Sequence, residues 1–227
     1  MRIRKGETLL KSLVSICISL AITAACLFVS AGRLDWTNAW VLLGLSLVTG
    51  LAFTVGRDPE LAAERRNVKD GKSWDKLLVG ITVLLGPMAV WITAGLDHRY
   101  HWSTGGSSLA FTAGLAVAVL GSVLSTWAMR SNRFFSSVVR IQKERGHTVV
   151  DSGPYRFIRH PGYAGMLAFI LATPLILGSE WGLVPAVATA SVTVLRTSME
   201  DRTLHQELDG YADYARRVRY RLLPAIW

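Results

Sequence analysis

Four apolar runs of about twenty residues each limit this chain more than any other feature in it. They lie at 10–29, 36–55, 77–96 and 109–129. About twenty apolar residues in a helix cross the hydrocarbon core of a bilayer. A shorter pair follows at 163–177 and 181–195, separated by Gly178-Ser179-Glu180. Lipid offers no partner for a backbone N–H or C=O, so segments of this length must be helical. The expected fold class is therefore all-α: a polytopic membrane bundle of about six transmembrane helices. A composition that is 51% hydrophobic suits no soluble domain of 227 residues with so many apolar runs.

The charge pattern orients this bundle. If the N-terminus, the 56–76 and 130–160 connections and the C-terminal tail share one side, that side holds all of the 25 Lys and Arg except Arg33 and Arg99. Such asymmetry marks the cytoplasmic face. Both termini are then cytoplasmic, and the expected location is a prokaryotic cell membrane. The formal charge of +9 is explained by topology and by anionic headgroups, so no nucleic-acid partner is expected. The opening basic-then-apolar segment resembles a signal peptide, but its apolar stretch of about 20 residues exceeds the usual 7–15. It reads as a retained first span. Cys17 and Cys26 lie nine residues apart on that helix, on roughly opposite faces, and cannot pair.

Three connections carry further expectations. The 56–76 loop mixes both charge signs and predicts a solvated amphipathic helix ending at Gly71. The outer Asp97-His98-Arg99-Tyr100-His101-Trp102 stretch offers two histidines without a third firm ligand; an interfacial aromatic belt is the better reading, and no metal is expected. The 130–160 segment is long for a membrane connection, yet Phe134-Phe135, Val138-Val139 and Val149-Val150 give it apolar anchors, so it should fold back over the cytoplasmic face. In the tail, Leu204, Leu208, Tyr211, Ala215 and Val218 recur at steps of four and three, predicting one cytoplasmic amphipathic helix.

The densest chemistry lies in Gly153-Pro154-Tyr155-Arg156-Phe157-Ile158-Arg159-His160-Pro161-Gly162-Tyr163-Ala164-Gly165, at the mouth of an apolar segment. Polar groups parked there mark a site, although a basic flank alone would satisfy topology. From Tyr163 the chain rises about 15 residues, turns, and descends about 15 to Arg196, each leg covering about 22 Å. Equal legs bring Arg196 and Glu200 back to the level of His160 and Tyr163. Arg196 and Glu200 stand four apart on one helix face, where they either serve this site or form an intrahelical ion pair.

The run His147-Thr148-Val149-Val150-x-Ser152-Gly153-Pro154-Tyr155, then Arg159-His160-Pro161-x-Tyr163-x-Gly165, resembles the isoprenylcysteine carboxyl methyltransferase and phospholipid methyltransferase superfamily. So does the closing pattern Arg196, Glu200-Asp201, Leu204, Tyr211, Tyr214, Val218 and Pro224. The resemblance covers about 120–227 and implies a methyltransferase core at 109–227 behind three spans in 1–108. It implies S-adenosylmethionine as cofactor, in a cytoplasmic pocket roofed by the C-terminal segment. Its cofactor set falls on Arg140, His147, Thr148, Val149, Val150, Tyr155, His160, Pro161, Gly162, Tyr163 and Glu200. Substrate contacts fall on Arg196 and Arg159, and Arg196, Glu200 and His160 are the candidate catalytic residues.

What the resemblance implies about partners is a lipophilic or prenylated acceptor arriving from the bilayer. A carboxyl acceptor on an isoprenylcysteine, a phospholipid amine, and the NADPH chemistry of related sterol reductases are the competing activities. A non-catalytic membrane scaffold is a further alternative. One departure bears on the acceptor. Eukaryotic prenylcysteine enzymes carry an arginine one turn before the Ala-Met pair, where this chain has Ser125, and a glutamine where it has Arg140.

Overall fold

A computed structural model describes residues 5–55 and 58–227. Arg2, Arg4 and Arg57 of the basic flanks lie outside these described residues. Every regular element among the described residues is helical, as the apolar runs require. Helix α1 (Lys5–Ala31) and α2 (Thr37–Thr54) form the first hairpin, and a short α3 (Pro59–Glu64) follows. A continuous run from Ser73 to Tyr100 comprises α4 (Ser73–Val79), a π-helical stretch (Gly80–Leu85) and α5 (Gly86–Tyr100). Then come α6 (Ser108–Ser131), α7 (Pro161–Leu177), α8 (Leu183–Glu207) and α9 (Tyr211–Arg217).

Four of these runs are long and apolar enough to cross a membrane: Leu9–Ala31, Thr37–Thr54, Ser73–Tyr100 and Ser108–Ser131. The protein is an integral membrane protein built on them. Helices α7 and α8 form the return hairpin expected from their sequence. At 17 residues, α7 is about 26 Å long at about 1.5 Å per residue, slightly less than the bilayer core of about 30 Å. Its first turn therefore lies near one edge of that core. Helix α8, with 25 residues, projects past that edge by about two turns.

Close backbone contact fixes the pairing of α6 with α7. A Cβ on Gly165 would stand 2.3 Å from the Gly121 carbonyl oxygen, and one on Gly121 would stand 2.6 Å from the Gly165 oxygen. Small residues let membrane helices approach until their backbones touch. The half of the bundle away from that edge is apolar: Leu27, Leu42, Ala94, Ala118, Ala172 and Ile176 share one core cluster. At the far end of the bundle from that edge, His98 stacks on Trp36 at 4.4 Å. Asp97 accepts hydrogen bonds from the Ser103 amide at 2.7 Å and the Ser179 hydroxyl at 2.5 Å. No group of three or more His, Cys, Asp or Glu with metal-binding geometry occurs among the described residues.

Two expectations are corrected. The 56–76 connection is not one helix ending at Gly71: α3 stops at Glu64, and the chain turns through 65–72 before α4. The reason is that the Gly71 position is pressed against Val138, where a Cβ would come within 2.7 Å. The C-terminal stripe is carried by two helices rather than one. Helix α8 runs to Glu207 and breaks at Leu208–Gly210, where Gly210 takes the left-handed conformation at φ +79° that glycine tolerates best. The stripe still forms one cluster: Leu208, Tyr211, Tyr214 and Val218, backed by Leu204, Val149 and Ile141.

Candidate active site

The segment after α6 builds the first wall of the site. Its extended backbone is pinned from both sides: Lys72 donates its amide to the Val139 carbonyl at 3.0 Å, and Val139 donates its own to Asp75 Oδ2 at 2.6 Å. Gln142 is fully buried, and its amide nitrogen donates to the Phe134 carbonyl at 2.8 Å. The His147 ring packs on Phe134 at 4.4 Å. Its Nδ1 accepts from the Gln142 amide at 3.2 Å, so a neutral His147 carries its proton on Nε2. Burial, with Arg140 and Arg145 nearby, lowers the His147 pKa to about 4.

The second wall is the short turn Gly153–Arg156 and the entry to α7. Tyr155 is buried, its hydroxyl takes a bond from Asn132 at 3.3 Å, and its carbonyl takes one from the Tyr214 hydroxyl at 2.7 Å. Burial pushes the Tyr155, Tyr211 and Tyr214 phenols above their ordinary pKa, so all three remain protonated. His160 occupies the N-cap position of α7, with Pro161 in the first turn, where its missing N–H costs nothing.

The decisive test of the hairpin is one distance. The Tyr163 hydroxyl donates to Glu200 Oε2 at 2.5 Å. The start of α7 and the end of α8 therefore meet, and residues 37 positions apart face a common space. That space is a cavity of about 630 Å³. It is bordered by Arg140, His147, Thr148, Val149, Val150, Tyr155, Arg159, His160, Gly162, Tyr163, Arg196 and Glu200. Pro161 is the one predicted residue that does not border it; buried in the first turn of α7, it sets the helix start behind the wall.

The arginines turn out to be committed to partners that sequence reasoning missed. Arg196, 4% exposed, pairs with Asp75 through Nε at 2.7 Å and Nη2 at 3.1 Å, and Nη2 also reaches the Ser137 carbonyl at 2.9 Å. The intrahelical Arg196–Glu200 pair is therefore replaced: Asp75 takes the cation and Tyr163 takes the carboxylate. Arg140 is clasped by Glu64 at 2.7 Å and by Glu144 at 2.6 Å. The Glu64 bond is the main cause of its raised pKa. Arg159 spends its donors on Asp201 at 2.8 and 2.9 Å and on the carbonyls of Val218 and Arg219 at 2.9 and 2.7 Å. It fastens the C-terminal segment over the site.

Asp201, 1% exposed, is the hub of this fastening. Besides Arg159 it accepts from the Tyr211 hydroxyl and Arg221 Nε, both at 2.8 Å, and lies 3.1 Å from His160 Nε2. An ionised carboxylate only accepts, so Nε2 carries a proton, and a neutral His160 keeps Nδ1 as its acceptor. The sequence placed Asp201 beside Glu200 but gave no sign that the two acids do different work.

Beneath this charged rim the cavity continues between the membrane helices. Ser19, Thr23, Ser46, Thr49, Thr82, Ser122, Thr173, Thr189 and Thr193 border it. Several of these hydroxyls donate to a carbonyl of their own helix, as Thr23 does to Ser19, Thr173 to Phe169 and Thr193 to Thr189. These hydroxyls are thereby satisfied within their own helices. Ser125 donates to the Gly162 carbonyl at 3.2 Å.

Residues 109–208 match the family model for phospholipid methyltransferase. The chain is 32% identical over 111 residues to protein-S-isoprenylcysteine O-methyltransferase B of Arabidopsis thaliana, covering 46% of this chain and 55% of that protein. It is 30% identical over 134 residues to the protein-S-isoprenylcysteine O-methyltransferase of Rattus norvegicus, covering 58% and 47% respectively. The second half of the chain is thus similar to this superfamily. It spans about half the length of these curated relatives. Its fold is similar to that of the eukaryotic intramembrane Ras methyltransferase ICMT (isoprenylcysteine carboxyl methyltransferase), solved without a monobody. The TM-score is 0.54 at 17% identity, covering 98% of both chains. This likeness speaks for the fold of the first 108 residues, which lie outside the family match.

Proposed function

We propose that the chain is an integral membrane methyltransferase that uses S-adenosylmethionine and methylates the carboxylate of a lipophilic, isoprenylcysteine-type acceptor, with both termini in the cytoplasm. One observation carries this reading: the residues matching the superfamily's donor-binding set, Pro161 apart, border a single cavity that continues between the membrane helices. Its volume of about 630 Å³ falls within the range of about 300–1,000 Å³ that small-molecule sites occupy. The similarity to enzymes named as isoprenylcysteine O-methyltransferases supports the same chemistry.

The donor set fits a zwitterionic sulfonium ligand. The first-turn amides of α7 suit a carboxylate, and Glu200 suits an ammonium group or a ribose. The rings of Tyr155 and Tyr163 suit a cation, an interaction worth about 0.5–2 kcal/mol. S-adenosylmethionine, when bound, supplies an electrophilic methyl group. The protein's task is then to align the acceptor within about 3–3.5 Å and to exclude water. A carboxylate acceptor is already ionised and needs no base. Arg196 holds it by the Nη1 donors left over from Asp75 and Ser137.

A phospholipid amine is the second reading. Arg140, Arg159 and Arg196 are each neutralised by an acid, while Glu200 meets a phenol rather than a cation. That balance suits an acceptor that must lose a proton, for which Glu200 or His160 is in reach. Incubation of the purified protein with methyl-labelled donor and either N-acetyl-S-farnesylcysteine or phosphatidylethanolamine separates the two. Label in a base-labile ester supports the carboxylate, label in a base-stable amine supports the phospholipid, and no label in either sinks the proposal.

A further inference from the structure

The 58–76 connection places a buried carboxylate behind the cavity wall, although it lies outside the segment that matches the superfamily. Asp75 stands in the first turn of α4 and is completely buried. A carboxylate in that position is costly unless every lone pair is used. Asp75 accepts from Arg196 Nε at 2.7 Å and Nη2 at 3.1 Å, and from the Val139 amide at 2.6 Å. Val139 and Arg196 both border the cavity, whereas Asp75 does not. One carboxylate behind the wall therefore ties together the segment that follows α6 and the cation of α8.

The geometry of this tie decides what Arg196 can do. A guanidinium offers five donors in a rigid plane. With Nε and one Nη2 hydrogen on Asp75, the plane is fixed by two parallel bonds, and the second Nη2 bond to the Ser137 carbonyl prevents rotation. The Tyr163 ring lies 5.1 Å from the guanidinium carbon and restrains one face. Only Nη1 is left over. The charge is balanced, but the direction of the remaining donors is set by Asp75.

Resting on the methyltransferase reading above, we infer that Asp75 is a positioning residue for methyl transfer that acts through Arg196. It aims the Nη1 donors at the acceptor's oxygen-bearing headgroup. Asp75 touches neither donor nor acceptor. Misplacing a positioning group by about 1 Å costs about a hundredfold in rate, so the effect should be large and confined to the acceptor.

The test is a double-mutant cycle on turnover, using methyl-labelled donor with N-acetyl-S-farnesylcysteine and with phosphatidylethanolamine. S-adenosylhomocysteine affinity is measured on the same samples. Asp75→Asn should lower kcat/KM for the acceptor by about 10- to 100-fold while S-adenosylhomocysteine affinity stays within about threefold. In an Arg196→Ala background the same substitution should have no further effect on the acceptor. Additive losses, or a loss of donor affinity matching the loss of turnover, overturn the inference. If Asp75→Asn does not fold, Arg196→Lys, which keeps the cation but not the fork, must show the same acceptor-selective loss; normal turnover overturns the inference. If the wild-type chain methylates neither acceptor, the methyltransferase reading falls, and this inference with it.

Discussion

Asp201 and Asp75 are both buried carboxylates that grip an arginine with two oxygens, yet they fasten different parts of the chain. Asp201 gathers Arg159, His160, Tyr211 and Arg221, all from the second half of the chain, and so holds the C-terminal segment down. Asp75 reaches from the end of one loop to Arg196, 121 residues away. The first carboxylate closes a roof, and the second joins the first three spans to the site. The contrast teaches that burial and pairing alone do not define a role: what matters is whether the partner faces the ligand or the fold.

The largest expected effect is on the roof. Asp201→Ala leaves Arg159 and Arg221 without their counter-charge, and breaking a buried pair in this way costs about 3–5 kcal/mol. The thermal midpoint in detergent should drop, and S-adenosylhomocysteine binding should vanish with it. If donor binding survived at wild-type strength, Asp201 would not be a fastening for the site. Next come the ligand-facing groups. Glu200→Gln and His160→Ala should weaken S-adenosylhomocysteine binding by at least about tenfold, about 1.4 kcal/mol, with the thermal midpoint nearly unchanged in Glu200→Gln and lowered less than in Asp201→Ala for His160→Ala, which loses one bond to Asp201. Equal losses of stability and binding would place both residues with Asp201 rather than with the ligand.

Helix pairing gives a smaller, purely structural effect. Gly165→Ala forces a methyl group into the Gly121 carbonyl, and overpacking of this kind costs about 1–3 kcal/mol. A midpoint unchanged by this substitution would show that α6 and α7 have room to separate.

The smallest effect is on pH dependence. With a pKa of about 4 in the folded protein against about 6.5 in an unfolded chain, His147 takes up its proton more readily when unfolded. Stability is then complete above about pH 6.5 and is lost as pH falls toward 4. The ring is only half-buried, so solvent screening keeps this loss modest. Thermal midpoints at pH 7.5 and 5 should differ less in His147→Gln than in the wild type. An identical pH response in both would assign the acid sensitivity to other groups.

Much of the site was legible because helix geometry is arithmetic. The legs from Tyr163 and to Arg196 are of equal length, so their ends had to meet, and the 2.5 Å bond between Tyr163 and Glu200 follows from that. The motif around His147 to Gly165 carried the rest. The partners of the arginines were illegible for a physical reason. Glu64 and Asp75 sit in a segment of alternating charge, which from sequence is indistinguishable from a solvated loop. Only the folded-back 137–140 stretch, lying against that segment, removes them from water. The break at Gly210 was signalled by Asp209-Gly210, but the apolar stripe runs through it without interruption because both helices pack on the same cluster. The π-helical stretch at Gly80–Leu85 left no recognisable mark in the sequence.

The proposed donor site is one cavity of about 630 Å³, bordered by both Tyr163 and Glu200. Calorimetric titration of the detergent-purified chain with S-adenosylhomocysteine tests this most directly. The account predicts saturable binding at one site per chain, weakened by at least about tenfold in Glu200→Gln. A folded, monodisperse sample that shows no heat of binding at millimolar ligand would contradict it.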